Sequence, residues 1–279
     1  MPVELTGNTK VRIKLQGAQE SLLMPLWSRA KFTSQNSPLI SDPEAVKIVS
    51  RIDYDFSRLD RTFPFRNNLL NVVRAMQFDA KIRSFIATHP RASIINVGAG
   101  LDTTFYRIDN GVIRWYDLDL PEVIEVRTQL IPQNERVHLI ANSILDPSWY
   151  GRVDRTGDGI LAISGGVLFY FTESEVKSFL TMFADNFPGA EIAFDTVSRL
   201  AAFLANWTIR RTGMKNAVVR WALKDACVIS RWDGRLQVVD HFPFFKGVSR
   251  DPSWGRRIRG FMNTTDKYRL TNIVHLRVT

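Results

Sequence analysis

At 279 residues, with 45% hydrophobic and 23% charged side chains, the chain has the size and ordinary composition of one large α/β domain carrying an added cap. No apolar run approaches the roughly 20 residues that span a bilayer. Met1 to Leu15 lacks the apolar core and cleavage site of a signal peptide, and the single cysteine, Cys227, excludes an internal disulfide and cannot alone form a thiolate metal site, so a reducing cytoplasm is the expected compartment. The net charge of +9 resides after residue 199, where 15 Lys and Arg face 5 Asp and Glu, against 22 and 23 before it. That asymmetry fits a solvated basic face or attraction of an anionic small molecule. No nucleic-acid-binding motif accompanies it.

The first 90 residues read as helical. Ala18 to Arg29 and Asp42 to Val49 form short helices, the second opened by Asp42-Pro43-Glu44 with an N-cap, a proline in the first turn and an acid beside it. Leu69 to Thr88 is a longer amphipathic helix with Leu70, Val73, Phe78, Ile82, Phe85 and Ile86 near helical period, Arg74 and Asp79 lying off that stripe. Strands then alternate with helices. Strands are expected at Ser93–Val97, Ile113–Leu118, Val137–Ala141, Gly159–Ser164 and Glu191–Thr196. Helices are expected from Asp102, over Glu122–Leu130, and from Thr172-Glu173-Ser174-Glu175 to about Phe187. Residues 197–225 read as mostly helical and basic, followed by strands at Leu236–Val239 and Ile273–Val278 around a helix near Arg256–Phe261. Five strand–helix units imply a doubly wound, mostly parallel α/β sheet, with a helical extension over 1–90 and cap elements at about 197–235 in the domain spanning 91–279.

The most informative stretch is Ile94-Ile95-Asn96-Val97-Gly98-Ala99-Gly100-Leu101-Asp102-Thr103-Thr104: a strand, a tight Gly-x-Gly turn and a helix start, an arrangement that lays backbone against a nucleotide-like ligand. The dinucleotide fingerprint wants a third glycine where Thr103 stands, and Asp102 puts an acid where pyrophosphate needs positive potential. No Walker lysine follows. Asp102 therefore disfavours a nicotinamide-dependent oxidoreductase and tolerates a cationic cofactor. About 20 residues on, Asp117 and Asp119 end the second strand, placed to accept hydrogen bonds from ribose hydroxyls. S-adenosylmethionine combines these properties: adenosine, no phosphate, and a sulfonium.

The pairing of Val97-Gly98-Ala99-Gly100-Leu101-Asp102-Thr103 with Tyr116-Asp117-Leu118-Asp119-Leu120-Pro121-Glu122-Val123, joined by Gly166-Val167-Leu168-Phe169-Tyr170-Phe171 and Trp221-Ala222-Leu223-Lys224-Asp225, resembles the leucine carboxyl methyltransferases, in the branch of tetracenomycin-type polyketide O-methyltransferases. The resemblance runs from about residue 20 to residue 245. It implies a Rossmann-like class I methyltransferase fold and S-adenosylmethionine as cofactor. It also implies that Arg74 grips the cofactor carboxylate through a bidentate charge-assisted pair and that Lys31 faces the same methionine end. By the same resemblance Gly98 and Gly100 admit the cofactor to the backbone and Asp119 holds the ribose. Ser143 and Ile144 lie beside the adenine, Ser143 replacing a common aspartate whose contact could pass to Asp146. Gly165 stands where the family places a glutamate that lines the cofactor pocket. That loss leaves a non-catalytic cofactor-binding module as an alternative to an enzyme.

Methyl transfer requires alignment and exclusion of water, and a carboxylate acceptor needs no general base whereas a hydroxyl does. His89, His138 and His275 read as structural, with His241 the best-placed candidate base. Tyr170, in the Phe169-Tyr170-Phe171 run, is the candidate catalytic residue, positioning the acceptor or lying against the sulfonium, with core packing the alternative. Arg210 and Arg211 on the cap would orient an anionic acceptor. The expected activity is O-methylation of a carboxylate, or of a hydroxyl, on a polyketide-like small molecule.

Overall fold

Four helices lead into the sheet: α1 (Gln19–Ser34), α2 (Pro43–Arg51), α3 (Ser57–Thr62) and α4 (Phe65–Thr88). The computed structural model of the chain describes residues 10–13, 19–35, 39–212, 218–251 and 253–279. Asp42 caps α2 as its sequence predicts, its carboxylate accepting the Ala45 N–H at 3.0 Å. Ala18 lies outside the described residues, and α1 runs on to Ser34, past the expected end at Arg29. The short α3 escapes the sequence reading because six residues, Ser57 to Thr62, carry too little periodicity to declare a helix.

From Ser93 the chain builds a seven-stranded sheet from β1 (Ser93–Val97), β2 (Arg114–Asp119), β3 (Val137–Ala141), β4 (Ile160–Ser164), β5 (Glu191–Val197), β6 (Leu236–Pro243) and β7 (Thr271–Val278). Their order is β3-β2-β1-β4-β5-β7-β6. The first five are mutually parallel, and β7 inserts antiparallel between β5 and β6. This is the doubly wound, mostly parallel α/β arrangement that the sequence implies. Ile94, Ile95, Val97, Leu161 and Ala162 are almost wholly buried, as central parallel strands covered on both faces require. Each fully buried Ile or Leu contributes about 1.5–3 kcal/mol.

The connecting helices are α5 (Thr104–Ile108), α6 (Pro121–Leu130), α7 (Glu173–Asn186), α8 (Arg199–Thr212), α9 (Cys227–Trp232) and α10 (Arg256–Lys267). One face of the sheet packs against α4 and α10 through Val73, Phe78, Ile82, Leu161, Ala193, Ile273 and Met262. The other packs against α7 and α9 through Val176, Phe179, Phe183, Phe194, Val274 and Ile229. Thr172 and Glu175 form a reciprocal capping box at the start of α7.

The cap differs from its expected mostly helical character. Helix α8 ends at Thr212, and residues 218–223 run as a strap along the end of β5, beyond the last residue of β4. Leu223 donates its N–H to Val197 O at 3.0 Å, Arg220 and Trp221 donate theirs to Phe169 O at 2.8 and 3.2 Å, and the Asn206 amide brackets Val219. The backbone bonds of the strap are thus spent on the end of β5 and the loop after β4 rather than on a helix. The strand order reverses between β1 and β4, so a crevice opens at their carboxyl ends, where doubly wound sheets bind ligands.

Candidate active site

The glycine turn after β1 is braced from beneath by three arginines. Gly98 and Gly100 have φ of +70° and +48°, a region that disfavours any residue with a Cβ. Gly98 and Ala99 donate their N–H groups to Leu118 O. Arg127, on α6, donates to Gly100 O at 3.0 Å and Asp102 O at 2.8 Å while gripping Asp117 through two nitrogens. Arg29, on α1, donates to Leu101 O at 2.9 Å and to Asp42 at 2.9 Å. Arg107, on α5, reaches Asp42, Thr104 and, bidentately, Asp79. The carbonyls of Gly100, Leu101 and Asp102 are thus all taken by arginines.

Asp102 belongs to this brace rather than to the crevice. Its carboxylate accepts the Asn96 amide at 3.3 Å and the Thr104 N–H at 3.2 Å, with Arg29 and Arg107 at 3.9 and 4.0 Å. Burial raises its pKa, but Arg29, Arg107 and Arg127 together outweigh that and hold it below the usual carboxylate range. The negative potential inferred from sequence is offset by these arginines. The helix begins at Thr104, two residues after Asp102, with Thr103 as its first flanking residue.

Asp119 closes the crevice side. It sits at the carboxyl end of β2, half-buried, and its oxygens accept the N–H groups of Gly100 at 2.7 Å and Leu120 at 2.8 Å. Burial pushes its pKa up, only partly opposed by those two donors and by Arg127. Asp117, two residues earlier, faces inward instead, held by Arg127, Trp115 and Asn96. The backbone N–H of Asn142 donates to Asp119 O, which brings the loop after β3 alongside. In that loop Ser143 Oγ accepts the Leu145 N–H at 3.2 Å, keeping its proton for another partner. The Ile144 side chain is buried in the core, and Asp146 caps the following 3-10 turn through Ser148.

The opposite wall is the loop after β4. An added Cβ on Gly98 would lie 2.3 Å from Val167 Cγ2, and one on Gly100 would lie 2.9 Å from Leu22. The two glycines thus admit neighbouring side chains of the protein as well as a tight turn. Gly166, at φ +82°, lies under the Arg74 guanidinium, 2.7 Å from where its Cβ would stand. Arg74 reaches from α4 to Asp195 at the end of β5, Nη1 to Oδ2 3.2 Å, and the other Asp195 oxygen accepts the Gly166 N–H at 2.7 Å. A Cβ at Gly165 would meet the Phe78 ring at 3.0 Å. Tyr170 closes a 3-10 turn (Leu168–Tyr170), donating its N–H to Val167 O, its ring edge against Phe169. Burial raises the pKa of its hydroxyl; Arg74 lowers it and Asp195 raises it.

Of the sequence-predicted residues, Gly98, Gly100, Asp119 and Arg74 are brought together by contacts running Asp119–Gly100, Gly98–Val167 and Gly166–Arg74, with Gly165 and Tyr170 on the loop that carries Gly166 and Val167. Lys31 is not among them: its ammonium pairs with Asp60 on α3 at 2.7 Å. Arg29 and Lys31, two apart on a helix, face roughly opposite ways, so only one can reach the turn. That one is Arg29, whose position between Leu26 and Ala30 on the buried side of α1 was the available signal. Arg127 was legible in the same way, between the buried Val126 and Leu130. The side chains of Arg210 and Arg211 lie outside the described residues.

None of the four histidines reaches this crevice. His89 stacks on Phe85, His138 on Tyr116, and His275 bonds Glu191 at 2.7 Å. His241 pairs in register with Val274 and so with Phe194, on the sheet face packed against α7 and α9. Asp195, the next residue along, is aligned with Ile273 and faces α4. The expected base position is thus on the wrong side of the sheet.

Comparison with known proteins agrees with the architecture. A crystal structure of a DUF574 family protein from Streptomyces avermitilis MA-4680 superposes with a TM-score of 0.58 at 11% identity, covering 90% of this chain and 97% of that one. The tetracenomycin polyketide synthesis O-methyltransferase TcmP of Streptomyces glaucescens is 32% identical over 199 residues, 71% of this chain and 70% of its own. The S-adenosyl-L-methionine-dependent methyltransferase dpfgK of Gibberella zeae is 31% identical over 226 residues, 74% and 76% of the two chains. The profile of leucine carboxyl methyltransferases matches residues 23–184, which span the brace, the glycine turn and the loop after β4: the chain is a methyltransferase of the leucine carboxyl methyltransferase family.

Proposed function

We propose that this protein is an S-adenosylmethionine-dependent O-methyltransferase that esterifies a carboxylate on a small, polyketide-like molecule. The observation carrying the cofactor assignment is the continuous wall from Asp119 to Arg74. It offers a carboxylate suited to vicinal ribose hydroxyls at one end and a guanidinium suited to an amino-acid carboxylate at the other. Between them lies a glycine turn whose following helix is only five residues long and preceded by Asp102, a poor cradle for pyrophosphate. When bound, S-adenosylmethionine supplies an electrophilic methyl group on a sulfonium.

The chain's own residues then align and desolvate. Asp119 orients the ribose, Arg74 the methionine carboxylate, and Ser143 offers a proton near the adenine. Tyr170, like any phenol near its ordinary pKa of about 10, keeps its proton at neutral pH, and burial moves it further from ionisation, so it donates a hydrogen bond to the acceptor oxygen rather than abstracting a proton from it. Among the described residues no histidine stands at the crevice to serve as a base, and this favours an acceptor that is already ionised. The name of the Streptomyces glaucescens relative points to polyketide chemistry, and the basic character after residue 199 suits an anionic acceptor.

Isothermal titration should show S-adenosylhomocysteine binding, weakened at least tenfold by Arg74→Ala and by Asp119→Ala. Unchanged affinity in both variants would refute the site. Incubation with aromatic polyketide carboxylic acids and matched phenols should yield methyl esters in preference to ethers; transfer only to phenols would refute the carboxylate.

A further inference from the structure

Among the described residues Asp195 is the one acidic group bonded to Arg74, and it is almost sealed: its side chain is 3% exposed and that of Arg74 15%. One Asp195 oxygen takes Arg74 Nη1 at 3.2 Å, the other takes the Gly166 N–H at 2.7 Å. A Cβ at Gly165 would stand 3.8 Å from Arg74 Nε, so a longer acidic side chain there would meet the same guanidinium. Position 165 carries no side chain in this protein, and the Phe78 ring edge lies against it. The carboxylate at this guanidinium therefore comes from β5, not from the loop after β4.

The pair has a further property. Arg74 and Asp195 present one positive and one negative group side by side, fixed by a backbone N–H, at the carboxyl ends of β4 and β5. An amino-acid end brings a carboxylate suited to the nitrogens of Arg74 that Asp195 leaves over, while Asp195, itself almost sealed, acts on that carboxylate through the guanidinium it holds. Without Asp195 the guanidinium would be left largely buried and uncompensated. It would also lose the link that keeps it over Gly166.

We propose that Asp195 is a positioning residue for the amino-acid end of the cofactor, anchoring Arg74 and the Gly166 N–H and supplying the carboxylate that Gly165 does not. The proposal rests on the S-adenosylmethionine reading of the site. Two ligands separate the roles: S-adenosylhomocysteine, which has the amino-acid end, and 5′-methylthioadenosine, which has the adenosine and thioether without it. Wild type should bind both. Asp195→Asn, which keeps an acceptor for Gly166 but removes the charge, should weaken S-adenosylhomocysteine at least tenfold, about 1.4 kcal/mol, and leave 5′-methylthioadenosine within twofold. Asp195→Glu, which keeps the charge, should lose less for S-adenosylhomocysteine than Asp195→Asn does. Equal weakening of both ligands would mean a role in folding alone and would overturn the proposal, as would no change in either. If wild type bound neither nucleoside, the S-adenosylmethionine reading itself would fall, and the proposal with it.

Discussion

The Asp119 carboxylate ties the end of β2 to the glycine turn, receiving the Gly100 N–H at 2.7 Å. One group therefore both shapes the turn and faces the ligand crevice. Its folded-state pKa is raised, burial outweighing the backbone donors of Gly100 and Leu120. The ionised form is the one that accepts two hydroxyl protons, so protonation would remove the proposed ribose contact. S-adenosylhomocysteine affinity should accordingly fall on acidification with a midpoint above the ordinary aspartate value of about 3.9. The raised pKa also means that ionised Asp119 costs stability, which is regained as the pH falls through its folded pKa. Titration calorimetry from pH 8 to pH 4 on wild type and Asp119→Asn checks this. The variant should bind more weakly at pH 8 and lose most of the acid limb.

Gly98→Ala should harm the fold and the site together. The φ of +70° costs a Cβ-bearing residue about 1–2 kcal/mol, and the new methyl would fall 2.3 Å from Val167 Cγ2. Val167→Ala removes the second cost and leaves the first. Thermal melts should therefore order the proteins wild type, Gly98→Ala/Val167→Ala, then Gly98→Ala, with the double variant recovering only part of the loss. Full recovery would show that the backbone at Gly98 is unstrained.

Asp42 is wholly buried with Arg29 at 2.9 Å and Arg107 at 2.7 Å, and it also accepts from Thr103 and Ala45. Burial alone would raise its pKa, yet the two arginines and the hydrogen bonds bring it below the usual value. A depressed folded pKa contributes stability that is fully present above the unfolded value near 3.9 and is lost as pH falls through the folded one. Asp42→Ala leaves two guanidinium groups short of a partner in the interior and should cost about 3–5 kcal/mol at pH 7. Urea unfolding at pH 7 and at pH 3 checks both halves, because the gap between wild type and variant should narrow at the lower pH.

What the sequence shows plainly are the features with local causes. The first parallel strand announces itself as an apolar, β-branched run, the glycine turn by its two glycines, and α2 and α7 by capping residues whose bonds are present in the structure. The place of Asp119 at the end of β2 is legible from spacing, whereas Arg74 is singled out by the resemblance alone, its partner lying 121 residues away on β5. The brace of Arg29, Arg107 and Arg127 is not legible as a unit, because its bonds join α1, α5 and α6 to carbonyls and acids far along the chain. Lys31 misleads for a related reason. Its residue type suits an anionic ligand, but its face of α1 is decided by how the whole helix packs, and that leaves it beside Asp60. The extended strap at 218–223 owes its shape to bonds with Phe169 and Val197, a tertiary cause with no local trace.

Tyr170 and His241 separate the crevice from the rest of the polar surface. The Tyr170 hydroxyl lies within the fields of Arg74 and Asp195, whereas His241 shares its sheet face with Val274 and Phe194. Tyr170→Phe removes one hydrogen-bond donor worth about 0.5–1.5 kcal/mol. It should lower kcat/KM for an aromatic carboxylic acid roughly three- to tenfold while leaving S-adenosylhomocysteine affinity unchanged. His241→Gln should leave kcat/KM within twofold and its pH profile unmoved. Steady-state assays across pH 6–9 decide between them. A loss of activity in His241→Gln with an intact melting temperature would place a base on the far face of the sheet, and a Tyr170→Phe enzyme indistinguishable from wild type would reduce Tyr170 to packing against Phe169.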